Sequence, residues 1–124
     1  MKRLIALLLV TCLGGCAGTL SGTIVETGQT AKVSYDGAGL SGTLQVSLPN
    51  GEIFSGKYTE PDNLQELIAI QMKAKFTPNI KGTLSSNKER NMLCWLYATD
   101  RAFGLVTGGH DFCETADGQV IKIN

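Results

Sequence analysis

The sequence predicts a mainly β domain of the α+β class: a small antiparallel sheet of about seven strands in meander order, packed by one helix near residues 63–75. Three observations lead to this prediction. Apolar and polar residues alternate over several short segments, turn dipeptides separate these segments, and one stretch has apolar residues at helical spacing. With 124 residues, 43% hydrophobic and 18% charged, the chain has the length and composition of one ordered domain.

The first half of the chain has the pattern of a half-buried sheet. Apolar residues alternate with polar ones over 31–35 and 44–48, which is the period of a strand with one buried face. Asp36-Gly37 and Asn50-Gly51 supply the positive φ angles that tight hairpins need. The connections are short and favour antiparallel neighbours. We predict strands at about 20–27, 30–36, 40–48 and 52–58.

A change of period marks the middle of the chain. The apolar residues of 63–75 recur at helical spacing, Asp62 is a suitable N-cap, and Pro78 ends the segment. These features predict a helix over 63–75. Because the apolar residues of 67–72 also alternate, a strand there is the competing interpretation.

The last third returns to strand patterns. Residues 92–99 are apolar on both faces, which is typical of a central or covered strand. Asp117-Gly118 predicts a final hairpin. The remaining predicted strands are short and cover about 80–84, 103–106, 112–115 and 119–123.

Charge and motifs argue against two classes of function. The chain has 11 basic and 11 acidic residues, whereas a nucleic-acid binder would have a basic surface. Neither a phosphate-binding glycine loop nor a Gly-x-Ser-x-Gly nucleophile motif is present, and His110 is the only histidine. We therefore predict a protein that is not an enzyme and does not bind nucleic acid.

The N-terminus has the parts of a secretory signal peptide. A cationic start, Met1-Lys2-Arg3, precedes an apolar run over 4–13. A helix of about ten residues reaches about 15 Å, half the thickness of a bilayer core, so this run is too short to span a membrane.

Leu13-Gly14-Gly15-Cys16 resembles the lipobox of bacterial lipoproteins. This resemblance implies a signal peptide over 1–15, a diacylglycerol on the Cys16 thiol and an N-acyl chain such as palmitate on its amino group, with no other cofactor. It also implies a short lipid-anchored tether over 16–21 and one periplasmic domain over 22–124. In this family an Asp after the cysteine signals inner-membrane retention, so Ala17 favours the periplasmic face of the outer membrane. An ordinary signal peptide with a chance cysteine is the alternative.

Two cysteines remain beyond the lipobox. Cys94 and Cys113 are expected to pair, because the cell envelope is oxidising. A metal site is the alternative, with His110, Asp111 and Glu114 next to Cys113 and with Cys94 as a further ligand.

Two further resemblances concern the mature domain. The glycines and cysteines of 93–123 are similar to the C-terminal half of small uncharacterised proteobacterial envelope lipoproteins, a resemblance that implies no activity. The segment Ser55-Gly56-Lys57-Tyr58 resembles a loop of periplasmic lysozyme inhibitors, in which a cation such as Lys57 would enter the acidic cleft of lysozyme.

These observations predict a lipid-anchored envelope protein with a non-catalytic binding or structural role. Its expected partners are the membrane, through the anchor, and another envelope protein. The candidate binding residues are Lys57 and the segment Gly108, Gly109 and His110. A lysozyme inhibitor and a metal-binding envelope protein are the alternative functions.

Overall fold

The computed structural model describes residues 16–62, 68, 77–100 and 104–123. These residues form an eight-stranded antiparallel barrel. The strands are β1 (Cys16–Ile24), β2 (Thr30–Ala38), β3 (Ser41–Ser47), β4 (Ile53–Thr59), β5 (Ile80–Ser86), β6 (Asn91–Asp100), β7 (Gly104–Thr115) and β8 (Val120–Ile123).

Closure of the sheet is the main difference from the prediction. Each strand pairs with its neighbour along the chain, and β8 returns to pair with β1, where Ile123 lies opposite Gly22. The mainly β, antiparallel character is therefore confirmed, but the sheet has eight strands, not about seven, and it closes into a barrel. Packing of the sheet by a helix is not borne out among the described residues. A closed sheet buries its inner face against itself, so strand side chains fill the core. Apart from the exposed Ile68, the predicted helix over 63–75 lies outside the described residues.

Two predicted boundaries are also corrected. Residues 16–21, expected to form a tether, lie in β1, where Gly18 and Leu20 face the barrel interior. The strands predicted over 103–106 and 112–115 belong to one strand, β7, which runs from residue 104 to residue 115. The β6–β7 register shifts between Ala98, opposite Gly109, and Asp100, opposite Gly104, and Gly108 in this irregular stretch adopts a φ of 103°.

In the barrel interior, glycines lie directly opposite tyrosines of the neighbouring strand. A Cβ at Gly18 would collide with the ring of Tyr35, and a Cβ at Gly42 would lie 2.8 Å from the Tyr58 hydroxyl. Each ring therefore occupies the space that a side chain on the facing strand would otherwise need. The largest fully buried side chains include Phe54, Leu44, Ile80, Leu84, Met92, Leu96, Leu105 and Ile121.

Strand β6 is buried on its inner face, but its outer face is buried only at Trp95, since Leu93 on the same face is 38% exposed. Cys94 and Leu96 face the interior, whereas Trp95 lies on the outer side and is still only 3% exposed. The Lys81 ammonium lies 5.3 Å from the centroid of the Trp95 ring. In the described part of the chain, no helix has the length and apolar character needed to cross a membrane.

Candidate functional site

Residue 16 belongs to the wall of the barrel. Cys16 is the first residue of β1 and lies opposite Gly37 of β2, and this ladder continues without interruption to Thr23 opposite Thr30. The β2–β3 connection lies at the same end of the barrel, which we call the Cys16 end. The β1–β2, β3–β4, β5–β6 and β7–β8 turns lie at the other end, which we call the hairpin end.

The predicted disulfide is confirmed. Cys94 of β6 and Cys113 of β7 lie directly opposite each other with their Cα atoms 3.9 Å apart, and their sulfurs are bonded. Both residues are 0% exposed. The bond therefore joins two neighbouring strands from inside the core.

The residues of the alternative metal site are divided between the two faces of β7. Asp111 and Cys113 face the interior, so the alternation of the strand places His110 and Glu114 on the outer side. The disulfide also occupies both sulfurs that would have been thiolate ligands. Across 16–62, 68, 77–100 and 104–123, no group of three or more His, Cys, Asp or Glu residues is placed to bind a metal ion.

Lys57 lies on the outer face of the sheet, where β2, β3 and β4 form a shallow cavity of about 420 Å³. Asp36 of β2 lies opposite Thr43 of β3, which lies opposite Lys57 of β4. Strands β2 and β4, which carry the Asp36 carboxylate and the Lys57 ammonium, are therefore about 10 Å apart. The segment 55–58 is the middle of β4, not a protruding loop. It therefore lacks the shape with which an inhibitor loop would enter the cleft of lysozyme.

The second candidate segment is on a different part of the barrel. Gly108, Gly109 and His110 lie in β7, which is separated from Lys57 on β4 by strands β5 and β6. A Cβ at Gly109 would lie 2.8 Å from Leu105 and 3.0 Å from Leu20, so this glycine allows leucines of β7 and β1 to meet. The structure does not bring the sequence candidates together into one site.

Tyr58 is a titratable group of the barrel interior, and its pKa is raised. Burial is the main cause, and the nearby Tyr35 and Asp36 add to it. The Tyr58 side chain is 2% exposed, and its hydroxyl fills the space beside Gly42. The raised pKa keeps the Tyr58 hydroxyl protonated and uncharged within the packed interior at the Cys16 end.

The raised pKa predicts a loss of stability in alkali. The unfolded chain releases the Tyr58 proton near the ordinary value of 10.0, before the folded chain does. The contribution to stability is therefore complete below about pH 10 and is lost as the pH rises through the folded-state pKa. Denaturant midpoints measured between pH 8 and pH 11 should fall less steeply for Tyr58→Phe than for the unaltered protein. Equal slopes would show that Tyr58 is not responsible.

A buried polar network at the hairpin end was not predicted from the sequence. Glu52 is only 2% exposed, and its Oε2 accepts hydrogen bonds from Ser86 Oγ at 2.8 Å and from Arg90 Nε at 3.1 Å. The Arg90 guanidinium also lies 5.5 Å from the centroid of the Phe54 ring. One carboxylate thus joins the β3–β4 and β5–β6 turns.

Arg90 extends this network to the last turn. Its Nη1 donates to Asp117 Oδ2 at 2.8 Å, and its Nη2 donates to Gln119 Oε1 at 3.3 Å. A hydrogen bond from the Thr115 hydroxyl lowers the pKa of Asp117, and the charge of Arg90 contributes to the same shift. The network therefore fixes three of the four turns at this end relative to one another.

No local signal in the sequence could have revealed this network. Glu52 and Arg90 are separated by 38 residues, and each follows a polar turn in which a charged residue is ordinarily solvated. The antiparallel meander brings them together, because it places the β3–β4 and β5–β6 turns side by side at one end of the paired strands β4 and β5.

Comparison with known proteins does not supply a family. No protein-family model matches the chain, and no curated protein or solved structure is significantly similar to it. The function is therefore argued from the residues and the geometry of this barrel.

Proposed function

We propose that this protein is a lipid-anchored component of the bacterial cell envelope, with a non-catalytic binding or structural role at the membrane surface. The observation on which the proposal depends is the lipobox-like sequence Leu13-Gly14-Gly15-Cys16, whose last residue is the first residue of β1. A diacylglycerol on the Cys16 thiol and an acyl chain on its amino group would together give stable anchoring.

The position of Cys16 supports a close attachment to the membrane. Residue 16 is already paired with β2, so no spacer separates the lipid site from the barrel wall. At about 3.4 Å per residue, the nine residues of β1 extend about 30 Å. The anchored barrel would hold its Cys16 end at the bilayer and present its hairpin end to the periplasm.

Buried side chains pack the barrel interior, which favours a binding role for the barrel surface. Tyr35 and Tyr58 occupy the interior at the Cys16 end, and aliphatic side chains, Met92, Phe54 and the disulfide are buried in the rest of the core. Outer positions on β2 to β4 are mostly exposed and polar, including Asp36, Thr43 and Lys57. We therefore place the contacts with a partner on the outside of the barrel.

The lipid anchor is tested by the intact mass of protein extracted from the membrane fraction. The expected mass is that of residues 16–124 plus a diacylglycerol and an acyl chain. Reduction after unfolding should add about two daltons, because the Cys94–Cys113 bond opens.

The two cysteines of the N-terminal region provide a matched control. Cys16→Ala is expected to abolish lipid addition and leave the precursor unprocessed at this site. Cys12→Ala removes a thiol four residues away, within the segment that would be discarded, and should leave the mature mass unchanged. An unmodified mature protein cleaved elsewhere would contradict the proposal.

A further inference from the structure

The barrel is closed by a strand that is too short for its neighbours. β8 has four residues, whereas β1 has nine and β7 has twelve. Within the described residues, which end at Ile123, β8 pairs with β1 at Gly22–Ile24. Among the described strands, none pairs with residues 17–21 of β1 on the side away from β2. We call these five residues the β1 edge.

The hydrogen bonds at the end of β1 show where the backbone groups of this edge point. Ile24 N donates to Gln29 O, towards β2, and Val25 N donates to Val120 O, towards β8. Successive residues of a strand direct their N–H and C=O groups to opposite sides, and the β1–β2 register is uninterrupted. The odd-numbered residues Ala17, Thr19 and Ser21 therefore direct their N–H and C=O groups away from β2.

We propose that the β1 edge is a strand-addition site that binds an extended segment of another envelope protein, antiparallel to β1 and in line with β8. Such binding uses main-chain hydrogen bonds for affinity and alternate side chains for selectivity. This inference rests on the proposed binding role, because it assigns a class of partner to that role. The edge itself is independent of the lipid, so the two proposals can fail separately.

The surroundings of the edge define the segment that would fit. On the inner side, Leu20 and Leu105 meet over Gly109, which provides an apolar floor. On the outer side, Ala17, Thr19 and Ser21 are small, neutral and exposed. The fitting segment therefore alternates apolar residues that face inward with small polar residues that face outward.

The β1 edge also lacks the features that prevent pairing. Proteins commonly protect exposed strand edges with charged side chains, proline or a bulge. Residues 17–21 contain neither charge nor proline, and their ladder with β2 is regular. An edge of this kind suits a binding partner better than continued exposure to water.

Amide hydrogen exchange provides the first test. It uses the ¹⁵N-labelled protein in the form in which it is isolated. In the free protein, the amides of Ala17, Thr19 and Ser21 should exchange at least about tenfold faster than those of Gly18 and Leu20, which donate to β2. The probe is a capped hexapeptide that alternates valine and threonine. Its addition should slow exchange at the three odd positions, and a twin N-methylated at the threonines should not.

A pair of substitutions at one position separates the backbone from the side chain. Thr19→Pro removes the outward N–H and leaves the ladder with β2 intact, because proline is tolerated where the N–H faces solvent. Thr19→Ala changes the side chain and keeps the N–H. We expect the hexapeptide to bind at least about tenfold more weakly to Thr19→Pro than to Thr19→Ala, as the loss of one main-chain hydrogen bond implies.

Three results would overturn the proposal. The first is equal protection of odd and even amides in the free protein, which would mean that the edge is already paired. The second is equal binding of the hexapeptide to the two variants. The third is concentration-dependent protection without any peptide, which would assign the edge to a second copy of this chain.

Discussion

Removal of the disulfide by Cys94→Ala together with Cys113→Ala is expected to lower the free energy of unfolding by about 3 kcal/mol. The bond closes a loop between residues 19 apart, and a loop of this size gives about this stabilisation in the chain-entropy model. Both cysteines are fully buried, so the lost sulfurs also leave unfilled core volume. Denaturant unfolding of the variant and of the oxidised protein measures the difference. The effect is large for a domain of ordinary stability, about 5–15 kcal/mol.

Reductant provides the control for this prediction. The buried sulfurs should resist reduction in the native protein and open only when denaturant unfolds it. Unfolding in denaturant with reductant should therefore bring the unaltered protein close to the midpoint of the double variant. The double variant itself should be insensitive to reductant. Equal midpoints for the oxidised protein and the variant would show that the bond adds nothing to stability.

Glu52→Gln is expected to destabilise the barrel by about 2 kcal/mol. This change keeps the shape of the side chain but removes the buried charge that accepts hydrogen bonds from Ser86 and Arg90. Breaking a fully buried ion pair costs about 3–5 kcal/mol, and the partial exposure of Arg90, 32%, reduces that figure. Denaturant unfolding at neutral pH measures the change.

Asp117→Asn is the matched control for Glu52→Gln. Both substitutions replace a carboxylate that contacts Arg90 with an amide of the same shape. The side chain of Asp117 is 62% exposed, so water replaces the lost interaction and the effect should be much smaller. If Asp117→Asn were as damaging as Glu52→Gln, burial would not be the source of the network's contribution.

Arg90 connects three of the turns at the hairpin end. It contacts Glu52 after β3, Asp117 in the last turn, and Gln119 at the start of the final segment. At the Cys16 end, Gly18 and Gly42 lie under the rings of Tyr35 and Tyr58. The two ends of the barrel are therefore built differently. The Arg90 network fixes the hairpin end, whereas at the Cys16 end none of the described strands pairs with the β1 edge on the side away from β2.

The local pattern of the sequence determined most of the strands. Alternation over 31–35 and 44–48 placed β2 and β3 within two residues of their observed bounds at each end, because a half-buried strand needs an apolar residue at every second position. Asn50-Gly51 marked a turn for the same kind of local reason, and Gly51 adopts a φ of 92°. Cys94 and Cys113 were predicted to pair by elimination, and the bond is present.

Only the tertiary structure decided how these strands close and what they leave open. These features are the pairing of β8 with β1, the contact of Glu52 with Arg90 and, among the described strands, the lack of a second partner for the β1 edge. Each depends on residues that are distant along the chain. Hydrophobic period and turn chemistry act over a few residues, whereas closure depends on the tilt and register of all eight strands together. The sequence by itself determined the strands and the expected lipid site, and the closed barrel determined which surfaces a partner can reach.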